Sequence, residues 1–256
     1  TDVLDEWMSL QKNWMYLEPI FSSEDIVRQM PTEGKKFQGV DAFFRRMMDE
    51  AVEVKLIINV TTQENLLPQF HKFNHEIELI LKGLNQYLEM KRLAFPRFFF
   101  LSNDELLEIL SQTKDPLAVN PHLGKCFENI VKLDFDESKP SLDISAMYSG
   151  EGERVDFLKT IIPTAQVEAW LLQVEGQMRE SLADMAINCL KAYKTEKTRQ
   201  DWVLNWPGQM VLAGSQFYWT QEVEEAMSKA GAKGVSDYVK VLNKQLDNIT
   251  TMARDP

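Results

Sequence analysis

A stripe of apolar residues at helical spacing runs through the middle of the chain and constrains what this part can fold into. Its members recur three and four residues apart: Ile77, Ile80, Leu81, Leu84, Tyr87 and Leu88. Residues at this spacing lie on the same side of an α-helix, so the stripe predicts one buried face of a long helix. Pro96 removes a backbone donor and disfavours helical geometry at Phe95, which predicts that the helix ends there.

Capping signals divide much of the remaining chain into further helices. Ser102 and Glu105 have the spacing of a capping box, in which serine hydroxyl and glutamate carboxylate pair with free amides of the first helical turn. Pro19 predicts the end of a first helix, and residues 205–208, Asn-Trp-Pro-Gly, predict a later break. Similar signals predict helix starts at three further places: residues 22–25, residues 61–64 and Thr220.

Between residues 131 and 160 the apolar residues alternate instead of following a helical period. The alternating runs are Val131, Leu133 and Phe135, then Ile144, Ala146 and Tyr148, then Val155 and Phe157. Two glycines at 150 and 152 supply a turn between the second and third runs. The pattern predicts a β-hairpin, with or without a third strand, that packs on helices because an isolated hairpin is marginally stable.

These patterns predict a mainly α fold, an elongated stack of helical bundles with a small β-hairpin insert. We expect three parts: a helical bundle with the long amphipathic helix over residues 1–130, the insert over 131–160, and a second helical bundle over 161–256. The chain begins with Thr1 rather than methionine, and we expect it to be a piece of a longer protein.

The composition excludes several classes of function. The net charge of −11 argues against a nucleic-acid surface, which needs an excess of Lys and Arg to neutralise phosphates. No run of apolar residues is long enough for a transmembrane helix, so no membrane partner is expected. The two cysteines, Cys126 and Cys189, lie in helix-like patterns without zinc or disulfide spacing, which fits a reducing cytoplasm.

Two short motifs resemble binding sites, but each fits a structural role better. His71 and His75 have the spacing of a helical zinc site, yet Lys72 occupies the place of the general base and His122 lies far along the chain. The glycines around residue 151 are flanked by glutamates, which would repel a phosphate. We therefore predict a solvated helix face and a hairpin turn, with no metal and no cofactor in this segment.

No catalytic residue is predicted either. The carboxylates of Asp104, Glu105 and Glu108 follow Ser102 and are expected to stabilise the start of a helix rather than to transfer protons. The remaining nucleophilic side chains lack any local signature of activation: Ser181, Ser215 and the two cysteines.

Two aromatic clusters leave a choice between core and interface. The first is Phe95 with Phe98, Phe99 and Phe100, and the second comprises Trp202, Trp206, Phe217, Tyr218 and Trp219. We favour burial for both, and the alternative is that some of these rings pack against another domain.

Several segments resemble dynein heavy chains of the axonemal type, in particular the linker region. The segments occur in the order of that family and extend over nearly the whole chain. They are residues 14–23 (Trp-Met-Tyr-Leu-Glu-Pro-Ile-Phe-Ser-Ser), 29–31, 84–110, 151–155, 167–171 (Val-Glu-Ala-Trp-Leu), 205–212 (Asn-Trp-Pro-Gly-Gln-Met-Val-Leu) and 215–223.

The resemblance implies a mechanical segment rather than an enzyme. In the family the linker precedes the first AAA+ module, and it bends and straightens over the ring during the ATPase cycle. The implied partners are the AAA+ ring of the same heavy chain and, indirectly, other dynein subunits and microtubules. The implied location is the cytoskeleton of the cytoplasm, in the axoneme of a cilium or flagellum. The full-length chain is expected to be a motor ATPase, whereas this segment is not.

The same hypothesis identifies candidate junctions and contact residues. The candidate hinge residues are Phe95, Pro96 and Arg97 at one junction and Trp206, Pro207 and Gly208 at the other. The candidate residues for contact with the ring are the basic Lys91, Arg92 and Arg97 and the hairpin tip formed by Gly150, Glu151, Gly152 and Glu153.

Two other functions compete with this interpretation. One is a helical scaffold or adaptor of different ancestry that binds a protein partner. The other is a metal-dependent hydrolase that uses His71 and His75, which would require bound zinc.

Overall fold

A computed structural model describes residues 2–111 and 115–254 of the chain. Helices dominate, and the prediction of a mainly α fold with a small β insert is confirmed. The α-helices are α1 (Asp2–Phe21), α2 (Glu24–Gln29), α3 (Pro31–Val54), α4 (Ile57–Thr61), α5 (Leu66–Ala94), α6 (Asn103–Ser111), α7 (Asn120–Phe127), α8 (Val167–Thr195), α9 (Arg199–Asn205) and α10 (Gly208–Arg254). Short 3₁₀ turns cover Pro96–Phe100 and Pro116–Val119. No helix within the described ranges combines the length and apolar character needed to cross a membrane.

The chain divides into two compact units. The first contains the described residues up to Ile144 together with Ile161–Gln173, and the second contains Ser145–Thr160 and the described residues from Val174 onward. The predicted division into parts at residues 130 and 160 stays a prediction.

Helices α1, α3 and α5 form the core of the first unit. The stripe predicted on α5 is buried except for Leu81, which is partly exposed, and Ile77 and Ile80 are fully inaccessible to solvent. Aromatic rings pack between the helices, where the buried rings of Phe43 and Phe70 meet edge to face with centroids 5.6 Å apart. Burial of such side chains contributes about 1.5–3 kcal/mol each, so this face holds the three helices together.

The β insert contains three strands: β1 (Ile130–Phe135), β2 (Ile144–Ser149) and β3 (Arg154–Ile161). They form an antiparallel sheet in the order β1–β2–β3, so the third strand that the sequence left open is present. Gly152 turns the chain between β2 and β3 with φ of +82°, a conformation that favours glycine over residues with a side chain.

The second unit is built around the indole of Trp202, which is 1% exposed. Its Nε1 donates to the carbonyl of Cys189 at 2.9 Å, and this bond ties α9 to α8. The hydroxyl of Tyr218 on α10 donates to the carbonyl of Leu190 at 2.7 Å. Tyr193 stacks on Tyr218 with ring centroids 4.1 Å apart, so aromatic contacts join all three helices.

Several predicted helix boundaries were wrong. Pro19 lies inside the last turn of α1, where buried Leu17 and Phe21 hold the helix together although the proline has no amide to donate. Thr61 does not start a helix; its hydroxyl donates to the carbonyl of Ile57 at 2.9 Å, at the end of α4. Helix α5 begins only after Asn65, which has φ of +64°.

Of the two other predicted helix starts, the one at residues 22–25 is confirmed, because α2 begins at Glu24, and the one at Thr220 is wrong. Ser23 immediately precedes α2, its side chain accepts no capping hydrogen bond, and its hydroxyl donates to the carbonyl of Ser111 at 3.2 Å. Thr220 lies within α10, where its hydroxyl donates to Gln216 of the same helix. The helix is interrupted later, at Ala230 and Gly231, and Gly231 has φ of +56° and is non-helical.

The predicted capping box of α6 is present. The amide of Ser102 donates to Glu105 Oε2 at 2.9 Å, and the amide of Glu105 donates to Ser102 Oγ at 3.3 Å. Lys125 on α7 also donates to the Glu105 carboxylate. The Lys125 bond and then the Ser102 amide lower the pKa of Glu105 to about 2 from 4.5.

We expect Glu105→Gln to lower the melting temperature at neutral pH but not in strong acid. The folded pKa of Glu105 lies below its unfolded value, so its stabilisation is complete above pH 4.5 and is lost as the pH falls towards 2. Thermal melts of wild type and variant between pH 7 and pH 2 should converge at the acidic end. Glu224→Gln, on an exposed turn of α10, is the control and should not give this converging pattern. A constant difference at all pH values would contradict the assignment.

Candidate functional site: two helix junctions and a hairpin tip

The first predicted junction lies where α5 ends. The amide of Phe95 donates to the carbonyl of Lys91 at 3.0 Å, and Phe95 itself has an extended backbone. The chain then makes the 3₁₀ turn that starts at Pro96, as the missing proline amide requires. Phe95 and Phe98 are fully buried and meet edge to face with centroids 5.0 Å apart. The turn is therefore anchored by two aromatic side chains.

Arg92 and Arg97 brace this junction, in the sense that their hydrogen bonds connect it to neighbouring elements. Arg92 is 8% exposed, and its guanidinium donates to the carbonyl of Leu101 at 3.3 Å and to Asn103 Oδ1 at 2.7 Å. It thus connects the last turn of α5 to the residues around the start of α6. Arg97 donates to the carbonyl of Cys126 at 3.0 Å, at the end of α7. Both cations satisfy carbonyls that a helix end or turn leaves without partners.

Lys91 also contributes to the inside of the first unit. Its Nζ lies 2.6 Å from Glu168 Oε1 on α8, and both side chains are about one-seventh exposed. Burial and then the Glu168 charge raise the pKa of Tyr87, whose hydroxyl donates to Gln29. Lys91, Arg92 and Arg97 therefore all bind groups of their own unit, and a contact of these three with a ring stays a prediction.

The aromatic run at this junction is divided between core and surface. Phe98 is buried, whereas Phe99 is 56% exposed and Phe100 is 70% exposed. The second cluster is divided in the same way, with Trp202 and Tyr218 buried but Phe217 and Trp219 about half exposed. The sequence predicted burial for both clusters, and the structure gives it for only part of each. Exposed Phe and Trp side chains are typical of surfaces that another domain covers.

The second predicted junction separates α9 from α10. Trp206 has an extended backbone with φ of −124°, and α10 begins after Pro207. The carbonyl of Pro207 accepts from the amide of Val211 at 3.1 Å, in the first turn of α10. Because Pro207 has no amide and the chain is extended before it, α9 cannot continue directly into α10.

The hairpin tip and the second junction meet through one hydrogen bond. Glu153 Oε1 accepts from the amide of Gly208 at 2.7 Å, across 55 residues of sequence. The carboxylate therefore lies at the N-terminus of α10, where free amides and the helix dipole favour negative charge. The structure thus brings together two candidate groups that the sequence analysis had treated separately.

The turn itself positions Glu153 for this contact. The hydroxyl of Ser149 accepts from the amides of Glu151 and Glu153 at 3.3 and 3.2 Å. The amide of Gly152 donates to the carbonyl of Ser149 at 3.0 Å. These bonds fix the backbone of the turn around Ser149, while the side chain of Glu151 stays exposed.

The residues that resemble metal or nucleophile sites do not converge. His71 Nδ1 lies 3.4 Å from Glu6, whereas His75 Nδ1 lies 3.7 Å from Glu78 and His122 Nε2 lies 3.5 Å from Glu108. Each histidine therefore has a different carboxylate. Within the parts of the chain that the structure describes, no three His, Cys, Asp or Glu side chains form a group that could hold a metal ion.

The serine and cysteine candidates have structural roles. Ser181 Oγ accepts from the amide of Leu158 at 3.0 Å and supports β3. Both cysteines are buried, and burial raises the pKa of Cys126 to about 11 and also raises that of Cys189. Both thiols are therefore protonated at neutral pH, and a protonated thiol is a poor nucleophile.

Comparison with known proteins identifies relatives along the whole chain. Residues 1–189 match the family described as "Dynein heavy chain, N-terminal region 2". Dynein axonemal heavy chain 1 of Mus musculus is 50% identical over 253 residues, which is 99% of this chain and 6% of that protein. Dynein axonemal heavy chain 12 of Homo sapiens is 50% identical over 256 residues, 99% of this chain and 8% of that protein. Dynein axonemal heavy chain 3 of Mus musculus is 48% identical over 254 residues, 98% and 6% respectively. The chain thus spans 6–8% of the length of these relatives.

We expect Arg92→Met to lower the free energy of unfolding by about 2–3 kcal/mol. The methionine retains much of the aliphatic bulk but leaves the Leu101 carbonyl and the Asn103 amide without their buried donor. Arg46→Met is the matched control, because Arg46 is exposed and its ion pair with Glu50 is long, at 3.9 Å. This variant should change the free energy of unfolding by no more than about 0.5 kcal/mol. Urea unfolding of the three proteins measures both. Equal effects would show that Arg92 does not brace the junction.

We expect Glu153→Ala to expose the Gly208 amide to solvent exchange. Loss of a hydrogen bond worth about 1 kcal/mol should speed exchange at this amide roughly fivefold. Glu153→Gln keeps an acceptor oxygen and should change it less, and Glu151→Ala is the control on the same turn. Amide hydrogen exchange followed by NMR or mass spectrometry measures the effect. Unchanged exchange at Gly208 in the Glu153→Ala variant would exclude the contact in solution.

Proposed function

This chain belongs to the dynein heavy chain family, and we propose that it is a mechanical linker segment of an axonemal heavy chain. In this proposal it precedes the first AAA+ module and transmits the ATP-driven movement of the ring. The full-length motor would hydrolyse ATP and move towards microtubule minus ends, and the segment itself would bind no nucleotide.

The observation that carries the proposal is the extent of the similarity. Proteins named as axonemal dynein heavy chains match 98–99% of this chain at 48–50% identity. Similarity over the whole length, rather than over one motif, supports a shared role for the complete helical segment. It also weighs against the alternative of a scaffold of different ancestry.

The helices suit a part that carries force. Helices α5 and α8 each contain 29 residues, about 44 Å of continuous hydrogen-bonded backbone. Intrahelical bonds resist bending, so dihedral changes concentrate where a helix ends. We propose that such changes occur at residues 95–97 and residues 206–208. The braces from Arg92 and Arg97 at the first and from Glu153 at the second would define the resting geometry.

Contacts with the ring are proposed for exposed groups near these junctions. The hairpin tip, with Glu151 exposed, is the first candidate. The exposed rings of Phe99 and Phe100 are the second, because large apolar side chains bury well against another domain. Lys91, Arg92 and Arg97 would act on such contacts indirectly, through the junction that they brace.

The proposal also specifies where the parent protein works. As part of an axonemal heavy chain, the segment would be found in the axoneme of a cilium or flagellum and would contribute to beating. Its direct partner would be the AAA+ ring of its own chain. Other dynein subunits and microtubules would be reached only through the assembled motor.

We expect the double variant Pro207→Ala, Gly208→Ala to uncouple movement from ATP hydrolysis in a heavy chain that contains this segment. Within a helix that continues through the junction, alanine is favoured over proline and glycine by about 3 and 1 kcal/mol, so both changes should stiffen the second junction. Microtubule gliding should slow severalfold while microtubule-stimulated ATP hydrolysis continues. Gly176→Ala, in the middle of α8 where an added Cβ meets nothing within 4 Å, is the control.

Two outcomes would contradict the proposal. Gliding at the wild-type speed in the double variant would show that the second junction does not bend during the cycle. ATP hydrolysis by the purified 256-residue chain alone would show that the segment has a catalytic site of its own.

A further inference from the structure

A cleft of about 550 Å³ lies between the first half of α3 and the first half of α5, within the first unit. Lys35, Lys36 and Gly39 line it from α3, and Lys72, Phe73 and Glu76 line it from α5. The α3 residues fall at i, i+1 and i+4, and the α5 residues fall at i, i+1 and i+4 as well. In each set, the two residues that are four apart therefore lie on one side of their helix.

The cleft is positively charged on a chain that is strongly acidic. Its lining carries three lysines against one glutamate, whereas the whole chain has a net charge of −11. Within residues 2–111 and 115–254, none of Lys35, Lys36 and Lys72 has an ion-pair partner. Most cations elsewhere in the first unit are paired, as Arg45 is with Asp41 and Glu18. Three ammonium groups without ion-pair partners, against one carboxylate, give the cleft a net positive charge that attracts anions.

The cleft has open space beside Gly39, and the position of the Phe73 ring that lines it is fixed by packing. An added Cβ on Gly39 would meet no atom within 4 Å, so the missing side chain leaves real space. Phe73 is held in place by stacking on Phe43, with centroids 4.3 Å apart. Lys72 Nζ lies 5.3 Å from the centre of the Phe73 ring. The site thus combines an apolar surface with positive charge beside it.

We propose that this cleft binds an acidic peptide segment of another protein. The segment would be extended, with Asp or Glu carboxylates on either side of one apolar side chain. The carboxylates would pair with the three lysines, and the apolar side chain would cover Gly39 and contact Phe73. From Lys35 to Gly39 the helix rises about 6 Å, so two or three extended residues would cover it.

The charge distribution favours a short peptide over a nucleic acid. A long polyanion would meet the acidic remainder of the chain, and three lysines neutralise only a few phosphates. A peptide can confine its carboxylates to the cleft and place an apolar group between them. Glu76 at the edge of the cleft also disfavours uniformly charged ligands.

The test measures binding of a labelled synthetic peptide in which a central phenylalanine is flanked by pairs of glutamates. Fluorescence anisotropy with the 256-residue chain should show binding that weakens as salt rises. The peptide with glutamines in place of the glutamates should bind at least roughly tenfold more weakly. The triple variant Lys35→Gln, Lys36→Gln, Lys72→Gln should lose a comparable amount.

Matched controls separate the cleft from general charge effects. The triple variant Lys12→Gln, Lys82→Gln, Lys244→Gln removes the same charge at exposed positions outside the cleft and should bind as wild type does. Gly39→Leu fills the cleft without changing charge and should also abolish binding, with its folding verified by its melting curve.

Three results would overturn the proposal. These are equal binding of the glutamate and glutamine peptides, equal losses in the two triple variants, and tighter binding of a single-stranded oligonucleotide of the same charge. The inference does not depend on a linker role, because the peptide assay uses neither the motor nor ATP.

Discussion

Every helix that ends inside a protein leaves backbone amides or carbonyls without intrahelical partners, and this constraint shapes the junctions of the chain. The structure satisfies the free groups with side chains from elsewhere. Arg97 donates to the carbonyl of Cys126 in the last turn of α7, and Arg92 donates to the carbonyl of Leu101 just before α6. Glu153 accepts from the first amide of α10. The same side chains that complete the hydrogen bonding also fix the direction in which the next helix leaves.

The sequence predicted those elements whose signals are local. The apolar stripe of α5, its end before Pro96 and the capping box at Ser102 all depend on residues within a few positions of each other. The alternation of the β strands is local as well. The prediction at Thr220 failed because a hydroxyl on a helix can donate to a backbone carbonyl instead of accepting from an amide at a helix start. Its hydroxyl donates to the carbonyl of Gln216, four residues earlier, within a helix that continues past Thr220.

The candidate functional residues were harder to predict, because their roles depend on distant partners. Lys91 and Arg92 are charged and lie near a helix end, so the sequence suggested an exposed surface. The structure gives them Glu168 and Asn103 as internal partners. The bond from Gly208 to Glu153 joins residues 55 positions apart, which no short-range pattern reveals. The basic cleft escaped sequence analysis for the same reason, since its lysines come from two helices.

The burial of both cysteines has a practical consequence for studying motion in this segment. Because Cys126 and Cys189 are inaccessible and protonated at neutral pH, maleimide reagents will spare them. A cysteine introduced on an exposed helix turn would then be the reactive thiol among the described residues. Fluorescent dyes could be attached in pairs without first removing the natural thiols. The fold thereby supplies a native background for distance measurements within this segment.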